Sequence, residues 1–173
     1  GMGQGDLWIF GYGSLMWRPG FAFEERRKAG IEGYHRALCV YSHVHRGTEE
    51  RPGLVLGLDY GGCCAGVAFR VAASRREETI AYLREREQVT FVYREIMVRA
   101  RLDDGRDVAA LAYVADRGHS QYARYLSRED ILRYVRQGVG QAGPNPDYVR
   151  STYDHLVELG IEDETLAWVV ARL

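Results

Sequence analysis

The stretch Ile9-Phe10-Gly11-Tyr12-Gly13-Ser14-Leu15-Met16-Trp17 decides how the rest of the chain is read. An apolar, strand-like run over residues 7–10 breaks into two glycines and a serine. Glycine lets the backbone turn tightly and lets another group approach without a Cβ in the way. Such a turn aims several backbone N–H groups in one direction, a nest suited to a carboxylate or phosphate. The same residues also make an ordinary strand-to-loop turn, and taken alone the stretch leaves both readings open. Two nucleotide motifs are excluded. Met16 stands where the third glycine of a dinucleotide fingerprint belongs, and the next long apolar run, 34–44, reads as a strand rather than a crossover helix. A Gly-Lys-Ser/Thr phosphate loop is absent as well, so a small carboxylate fits the turn better than a nucleotide.

Outward from this turn, residues 18–30 are charged and read as a loop broken at Pro19-Gly20. A strand is expected over 33–45 and a polar loop over 46–53. Two more strands follow, over 54–60 and 64–71, with a tight turn at Gly61-Gly62. Ser74 and Glu77 form a capping-box pair that opens a helix ending near Glu87. The run Val89-Thr90-Phe91-Val92-Tyr93 is β-branched and aromatic, hence strand, and continues in alternation over 95–102. Asp103-Asp104-Gly105 turns the chain into a further strand over 108–114. The last third is helical. Ser127 with Asp130 caps one helix, Asn145 with Pro146 at the first position caps a second that Gly160 ends, and a third runs over 163–173. In the second, Tyr148, Thr152, Leu156 and Leu159 line one face. Strands early and helices late predict an α+β domain.

At 173 residues the chain suits a single domain, 1–173, with its own core. A net charge of −1 gives no electrostatic case for nucleic acid or for an anionic membrane. Lys28 is the only lysine and lies in a charged run, which argues against a catalytic lysine. The three cysteines, Cys39, Cys63 and Cys64, are odd in number and two are adjacent. They make neither a disulfide framework nor a zinc spacing, so a reduced, cytoplasmic setting is expected. Neither a signal peptide nor a membrane-length apolar run is evident. Nothing in the sequence sets an oligomeric state.

Glu87 draws attention because a charged helix gives way there to an apolar strand. A half-buried carboxylate has a raised pKa and is a better base, whereas a solvated helix-end glutamate has no such property. His43 and His45 alternate on the expected strand, but no third ligand follows at a metal-binding spacing. His35, His119 and His155 stand alone and read as surface or capping groups. Ser14 sits in no Gly-x-Ser-x-Gly elbow, which weakens a serine triad. Tyr12, Trp17, Tyr93 and Tyr148 are core residues by default, of which one or two can wall a pocket.

Five stretches taken together carry a resemblance. They are residues 10–17, His45-Arg46-Gly47-Thr48 with Pro52-Gly53, Gly61-Gly62-Cys63 through Gly66-Val67-Ala68, Arg86-Glu87 with Thr90 and Tyr93, and Gly143-x-Asn145 with Tyr148. In this order, over nearly the whole chain, they resemble the ChaC family of γ-glutamylcyclotransferases in its bacterial form. The resemblance implies a γ-glutamylcyclotransferase-like fold, a small mixed β-barrel flanked by helices. It implies a lyase that cleaves glutathione to 5-oxoproline and cysteinylglycine without metal or cofactor. It places Glu87 as the catalytic acid/base and the turn Tyr12, Gly13, Ser14 and Leu15 as the holder of the γ-glutamyl group. Tyr93 matches a tyrosine near that pocket, and the loop with Arg46 borders the substrate. The path from Gln88 to Tyr93 has the bacterial spacing, where eukaryotic members carry a Gly-Gly-Tyr soon after the glutamate.

The chemistry follows from these residue types. The substrate's own α-amine attacks its γ-amide carbonyl and closes a five-membered ring, and a well-held intramolecular nucleophile has an effective molarity of about 10⁵ M or more. The protein then supplies a folded-back substrate, a base for the ammonium proton and an acid for the leaving amine, and one carboxylate can serve as both in turn. Two alternatives stay open on the sequence: a cyclotransferase for another γ-glutamyl amino acid or amine, and a non-catalytic γ-glutamyl-binding protein.

Overall fold

Five consecutive residues without a charge, Leu7–Gly11, form β1, and every one of them is buried. A strand buried on both faces needs a partner on each edge. β1 has them: it pairs antiparallel with β3 (Gly53–Val71), Leu7 opposite Val71 and Gly11 opposite Val67, and parallel with β5 (Asp107–Ala115) through Trp8 and Ile9. The remaining strands are β2 (Glu25–Ser42) and β4 (Tyr93–Leu102). The order β1-β3-β2-β4-β5 closes into a barrel, with β4 antiparallel to both β2 and β5. The parallel β1–β5 pair makes the barrel mixed. The computed structural model describes residues 5–88 and 91–173.

Among the described residues the fold is therefore α+β, a closed five-stranded mixed barrel with four α-helices, as expected. Its contacts divide the chain into two units, Gly1–Arg36 with Leu58–Asp116 and Ala37–Gly57 with Arg117–Leu173. The first holds β1, β4, β5, most of β2 and β3, and α1 (Arg76–Glu87). Its core gathers Leu7, Ile9, Leu15, Val71, Leu83, Leu111 and Tyr113, with Phe21, Ile80, Tyr82 and Tyr93 packed against them. The second holds α2 (Arg128–Gln137), the short strands β6 (Val139–Gly140) and β7 (Gly143–Pro144), α3 (Asn145–Glu158) and α4 (Glu164–Val170).

Several local expectations are corrected. Residues 25–30, read as loop, are the start of β2. Their charges alternate, so that Glu25 and Arg27 lie half-buried in line with buried Ala29 and Ile31 while Arg26 and Lys28 point to solvent. Gly61 and Gly62 do not reverse the chain. Both have positive φ, +99° and +71°, yet β3 runs unbroken through them, and the Gly61 carbonyl lies 2.9 Å from His35 Nδ1. The expected capping box does not form. Ala73–Arg75 make a 3₁₀ turn, α1 starts after it with Arg75 at the N-cap, and no side chain caps it. Of the expected strand over 89–93, Val89 and Thr90 lie outside the described residues, Phe91 has φ +58°, and β4 begins only at Tyr93. Asn145 is not a cap but the first residue of α3. The face of α3 also shifts: Val149, Thr152 and Leu156 are buried while Tyr148 is half-exposed. His43 and His45 lie past the end of β2, so they do not alternate along a strand.

Other local signals do what their chemistry predicts. Ser127 Oγ accepts from Asp130 N at 3.1 Å and caps α2, Asp163 Oδ1 accepts from Leu166 N at 2.9 Å and caps α4, and Gly160 takes φ +72° after α3. Leu102 and Gly105 close the β4–β5 turn with a 3.0 Å hydrogen bond.

Candidate active site

The glycine-rich turn leaves β1 as a 3₁₀ turn, Ser14–Met16. Met16 N donates to Gly13 O at 2.9 Å, and Trp17 N and Arg18 N both donate to Ser14 O, at 3.2 and 2.7 Å. In i→i+3 bonding the first donor is Met16, so the N–H groups of Ser14 and Leu15 precede the ladder. Tyr12, Gly13 and Leu15 are buried and Ser14 is exposed. Gly66 of β3 lies against the turn so closely that a Cβ there would stand 2.3 Å from Gly11 O and 2.7 Å from Phe10 Cζ. Arg36 fixes the turn from β2: its Nε donates to Tyr12 O at 2.7 Å, and its Nη2 donates to Ala65 O at 2.6 Å.

Glu87 is the last residue of α1, in the same unit as the turn. Its side chain is 18% exposed. Burial holds its pKa above the usual carboxylate range, and the Arg86 guanidinium, with Nε 3.7 Å from Glu87 Oε1, pulls the other way. The helix C-terminus, with its outward carbonyls, also disfavours a negative charge. Of the two readings the sequence left open for Glu87, the half-buried carboxyl is the one the helix end presents, and a raised pKa makes its carboxylate a better base.

Arg86 links helix and turn. Its Nη2 donates to Ser14 Oγ at 2.9 Å, and its Nη1 lies 2.7 Å from Arg18 O, 3.1 Å from Pro19 O and 3.1 Å from Tyr82 Oη. Tyr93 opens β4 half-buried, packs against the core cluster of which Leu15 and Tyr113 are members, and receives a 3.3 Å hydrogen bond on its carbonyl from Gln88 Nε2. Tyr113, which the sequence reading passed over, is buried in the core cluster that includes Leu83 of α1. Its hydroxyl donates to Glu95 Oε2 at 2.7 Å, and Arg84 grips the same carboxylate with two bonds of 2.9 and 3.0 Å. Burial pushes the Tyr113 phenol far up, the Glu95 bond adds to this, and the Glu87 charge contributes in the same direction. The signal for Tyr113 was present in the alternation of β5, which buries it beside Leu111 in the cluster that holds Leu15.

Arg46 belongs to the second unit. Its Nη1 donates to Pro144 O at 3.1 Å, and its guanidinium lies over the Tyr148 ring, 5.7 Å from the centroid. Its loop is packed without slack: a Cβ on Gly47 would meet Gly53 N at 2.2 Å, and one on Gly53 would meet Arg46 O at 2.4 Å. Asn145 completes the cluster, Oδ1 accepting from Leu54 N at 2.8 Å and Nδ2 donating to Leu54 O at 2.9 Å, while Tyr148 Oη accepts from Leu56 N at 3.0 Å. Among the described residues no group of three His, Cys, Asp or Glu is arranged to hold a metal ion, and no disulfide joins Cys39, Cys63 and Cys64. A groove of about 750 Å³ on the barrel wall, lined by Tyr34, Cys63, Met97 and Arg99 among others, contains none of the expected site residues Tyr12, Gly13, Ser14, Leu15, Arg46, Glu87 and Tyr93.

The sequence model of the ChaC-like proteins matches residues 7–172, nearly the whole chain. The chain belongs to the ChaC-like family. The glutathione-specific gamma-glutamylcyclotransferase of Escherichia coli (strain K12) is 36% identical over 163 residues, covering 94% of this ChaC-like chain and 71% of that protein. The human glutathione-specific gamma-glutamylcyclotransferase 1 is 36% identical over 170 residues, covering 95% and 77%. The fold of this ChaC-like chain is also that of a yeast γ-glutamyl cyclotransferase specific to glutathione, whose crystal structure aligns with a TM-score of 0.85 at 19% identity, over 96% of this chain and 95% of that one.

Proposed function

We propose that this chain is a glutathione-specific γ-glutamylcyclotransferase, releasing 5-oxoproline and cysteinylglycine in a cytoplasmic setting. The observation that carries this reading is the Glu87 carboxyl. It is held half-buried at the end of α1 with a raised pKa, and its neighbour Arg86 is hydrogen-bonded to the glycine-rich turn. The names of the E. coli and human relatives supply the substrate class.

In this mechanism the backbone N–H groups at Gly13, Ser14 and Leu15 hold the γ-glutamyl group, with Tyr12 and Tyr93 beside it. The Glu87 carboxylate takes a proton from the substrate's α-ammonium. The freed amine attacks the γ-amide carbon, a C–N bond forms, and the carbonyl oxygen gathers negative charge that N–H donors stabilise. The ring nitrogen releases its second proton to solvent, the tetrahedral centre collapses, the bond to the cysteine nitrogen breaks, and Glu87 returns its proton to the leaving nitrogen, which takes a further one from solvent to depart as the ammonium. Ring closure is intramolecular, so positioning supplies much of the acceleration, and the acid/base group adds about 10²–10⁴-fold.

The test is 5-oxoproline release from glutathione by wild type and by Glu87→Gln. Release by wild type, and loss of at least about 10²-fold in the variant with the fold intact, is expected. A Glu87→Gln rate near wild type removes Glu87 from the chemistry. A wild type that turns over γ-glutamyl-alanine but not glutathione moves the reading to another γ-glutamyl donor, and glutathione binding without any product makes the chain a binding protein.

A further inference from the structure

The proposed chemistry leaves Arg86 without a task, yet few side chains in the barrel unit are as heavily engaged. Arg86 is the penultimate residue of α1 and its side chain is 19% exposed. Its partners Ser14 Oγ, Arg18 O and Pro19 O come from one segment at the mouth of the turn, and the remaining one, Tyr82 Oη, lies a helical turn back on α1. Arg18 N is itself bound to Ser14 O at 2.7 Å, so a group holding Ser14 and Arg18 holds both ends of the 3₁₀ turn. The segment also lies tight against α1. Gly20 has φ +75°, and a Cβ there would stand 2.0 Å from Tyr82 Oη. Phe21 then packs edge-on against the Tyr82 ring, with centroids 6.4 Å apart.

The choice of arginine has a physical reason. A guanidinium is planar, always charged and carries five N–H donors in a fixed fork, so it addresses acceptors in several directions at once. Carbonyl oxygens at the end of a turn are acceptors of this kind, and charge-assisted bonds to them are stronger than neutral ones. A lysine in its place keeps the charge but offers a point rather than a fork. We infer that Arg86 is a positioning residue whose guanidinium straps the 14–19 segment to the last turn of α1, fixing the turn's backbone N–H groups relative to the Glu87 carboxylate beside it. This role rests on the cyclotransferase reading, in which those N–H groups and Glu87 act on one substrate. Misplacement of such groups by about 1 Å can cost 10²-fold in rate.

The experiment compares Arg86→Lys, Ser14→Ala and the double variant with wild type in the 5-oxoproline assay. Hydrogen exchange is followed in parallel on peptides covering residues 11–20 and 76–83. Arg86→Lys is expected to lower kcat by about 10–100-fold with KM within a few-fold of wild type. Ser14→Ala is expected to lose less, and the double variant is expected to fall no lower than Arg86→Lys, because the two residues act through one contact. Exchange in the 11–20 peptide should speed up about 10-fold while the helix peptide stays as in wild type. A kcat for Arg86→Lys equal to wild type, a loss that merely follows melting temperature, or fully additive losses would overturn the strap. Arg86→Gln gives a second reading should Arg86→Lys fail to fold, with the same loss of kcat expected. A wild type that releases no 5-oxoproline fails the cyclotransferase reading instead. The exchange measurement then decides alone: faster exchange in 11–20 upholds the strap and unchanged exchange overturns it.

Discussion

In the proposed reaction Glu87 serves the chemistry at the expense of stability. Burial raises its pKa in the folded chain, so the native state binds the proton more tightly than the unfolded one does. Stability is therefore lost as pH rises from the ordinary carboxylate range through the raised value, where Glu87 must ionise half-buried. Glu87→Gln removes that cost. Its melting temperature should match wild type near pH 4 and exceed it at pH 8, measured by thermal unfolding across that range. A lower value at pH 8 would mean that the carboxylate makes a stabilising contact. The residue's place was readable in the sequence, because the change from charged helix to apolar strand marks the helix end. Its electrostatics were not, because they depend on what the barrel packs against it.

At the scale of elements, Asn145 carries a junction that no helix signal announces. The Asn145-Pro146 pair looks like a cap and first position, yet the side chain turns away and bonds both polar groups of Leu54, 91 residues earlier in the sequence. Asn145 is fully buried, and so are both of its bonds. Asn145→Ala leaves the N–H and the C=O of Leu54 without their partner. Each unsatisfied buried group costs about 1–3 kcal/mol, so a loss of about 2–6 kcal/mol is expected in urea unfolding. Asn145→Asp removes the donor to Leu54 O and sets a carboxylate against it, and should be at least as damaging. Gly61 and Gly62 teach the same lesson for strands. Two adjacent glycines signal a hairpin when only the sequence is read, but their positive φ values sit inside a strand that continues on both sides.

At the scale of the whole molecule, the ends of the barrel strands are tied by charge. Glu25 at the start of β2 accepts from Arg27 Nε at 2.8 Å, from Arg70 Nε of β3 at 3.1 Å and from Arg106 of the β4–β5 turn. These bonds, that from Arg27 first, hold the Glu25 carboxyl down at about 2. A lowered folded pKa means stability that is present above the usual carboxylate range and lost as pH falls toward about 2. Glu25→Gln should lower the melting temperature at pH 7 and flatten its fall between pH 5 and 2. The effect should shrink in high salt, as the partners are partly exposed. An unchanged acid limb in the variant would show that the network does not drive acid unfolding. The charged run that read as a loop becomes a strand because these alternate charges are matched from three elements.

What the sequence determined by itself was local. Runs of apolar residues set β1 and β5, Asp103-Asp104-Gly105 set the β4–β5 turn, Ser127 set the start of α2, and the charged run that gives way after Glu87 set the end of α1. Each rests on interactions between residues close in sequence, which backbone propensity and side-chain chemistry fix before the chain folds. The tertiary structure alone decided the parallel β1–β5 pairing that closes the barrel, the turn of Asn145 onto Leu54, the matched charges around Glu25 and the reach of Arg86 to Ser14, 72 residues away. These join residues that are neighbours only after closure, and a hydrogen bond across such a distance leaves no periodicity or spacing in the sequence to be read.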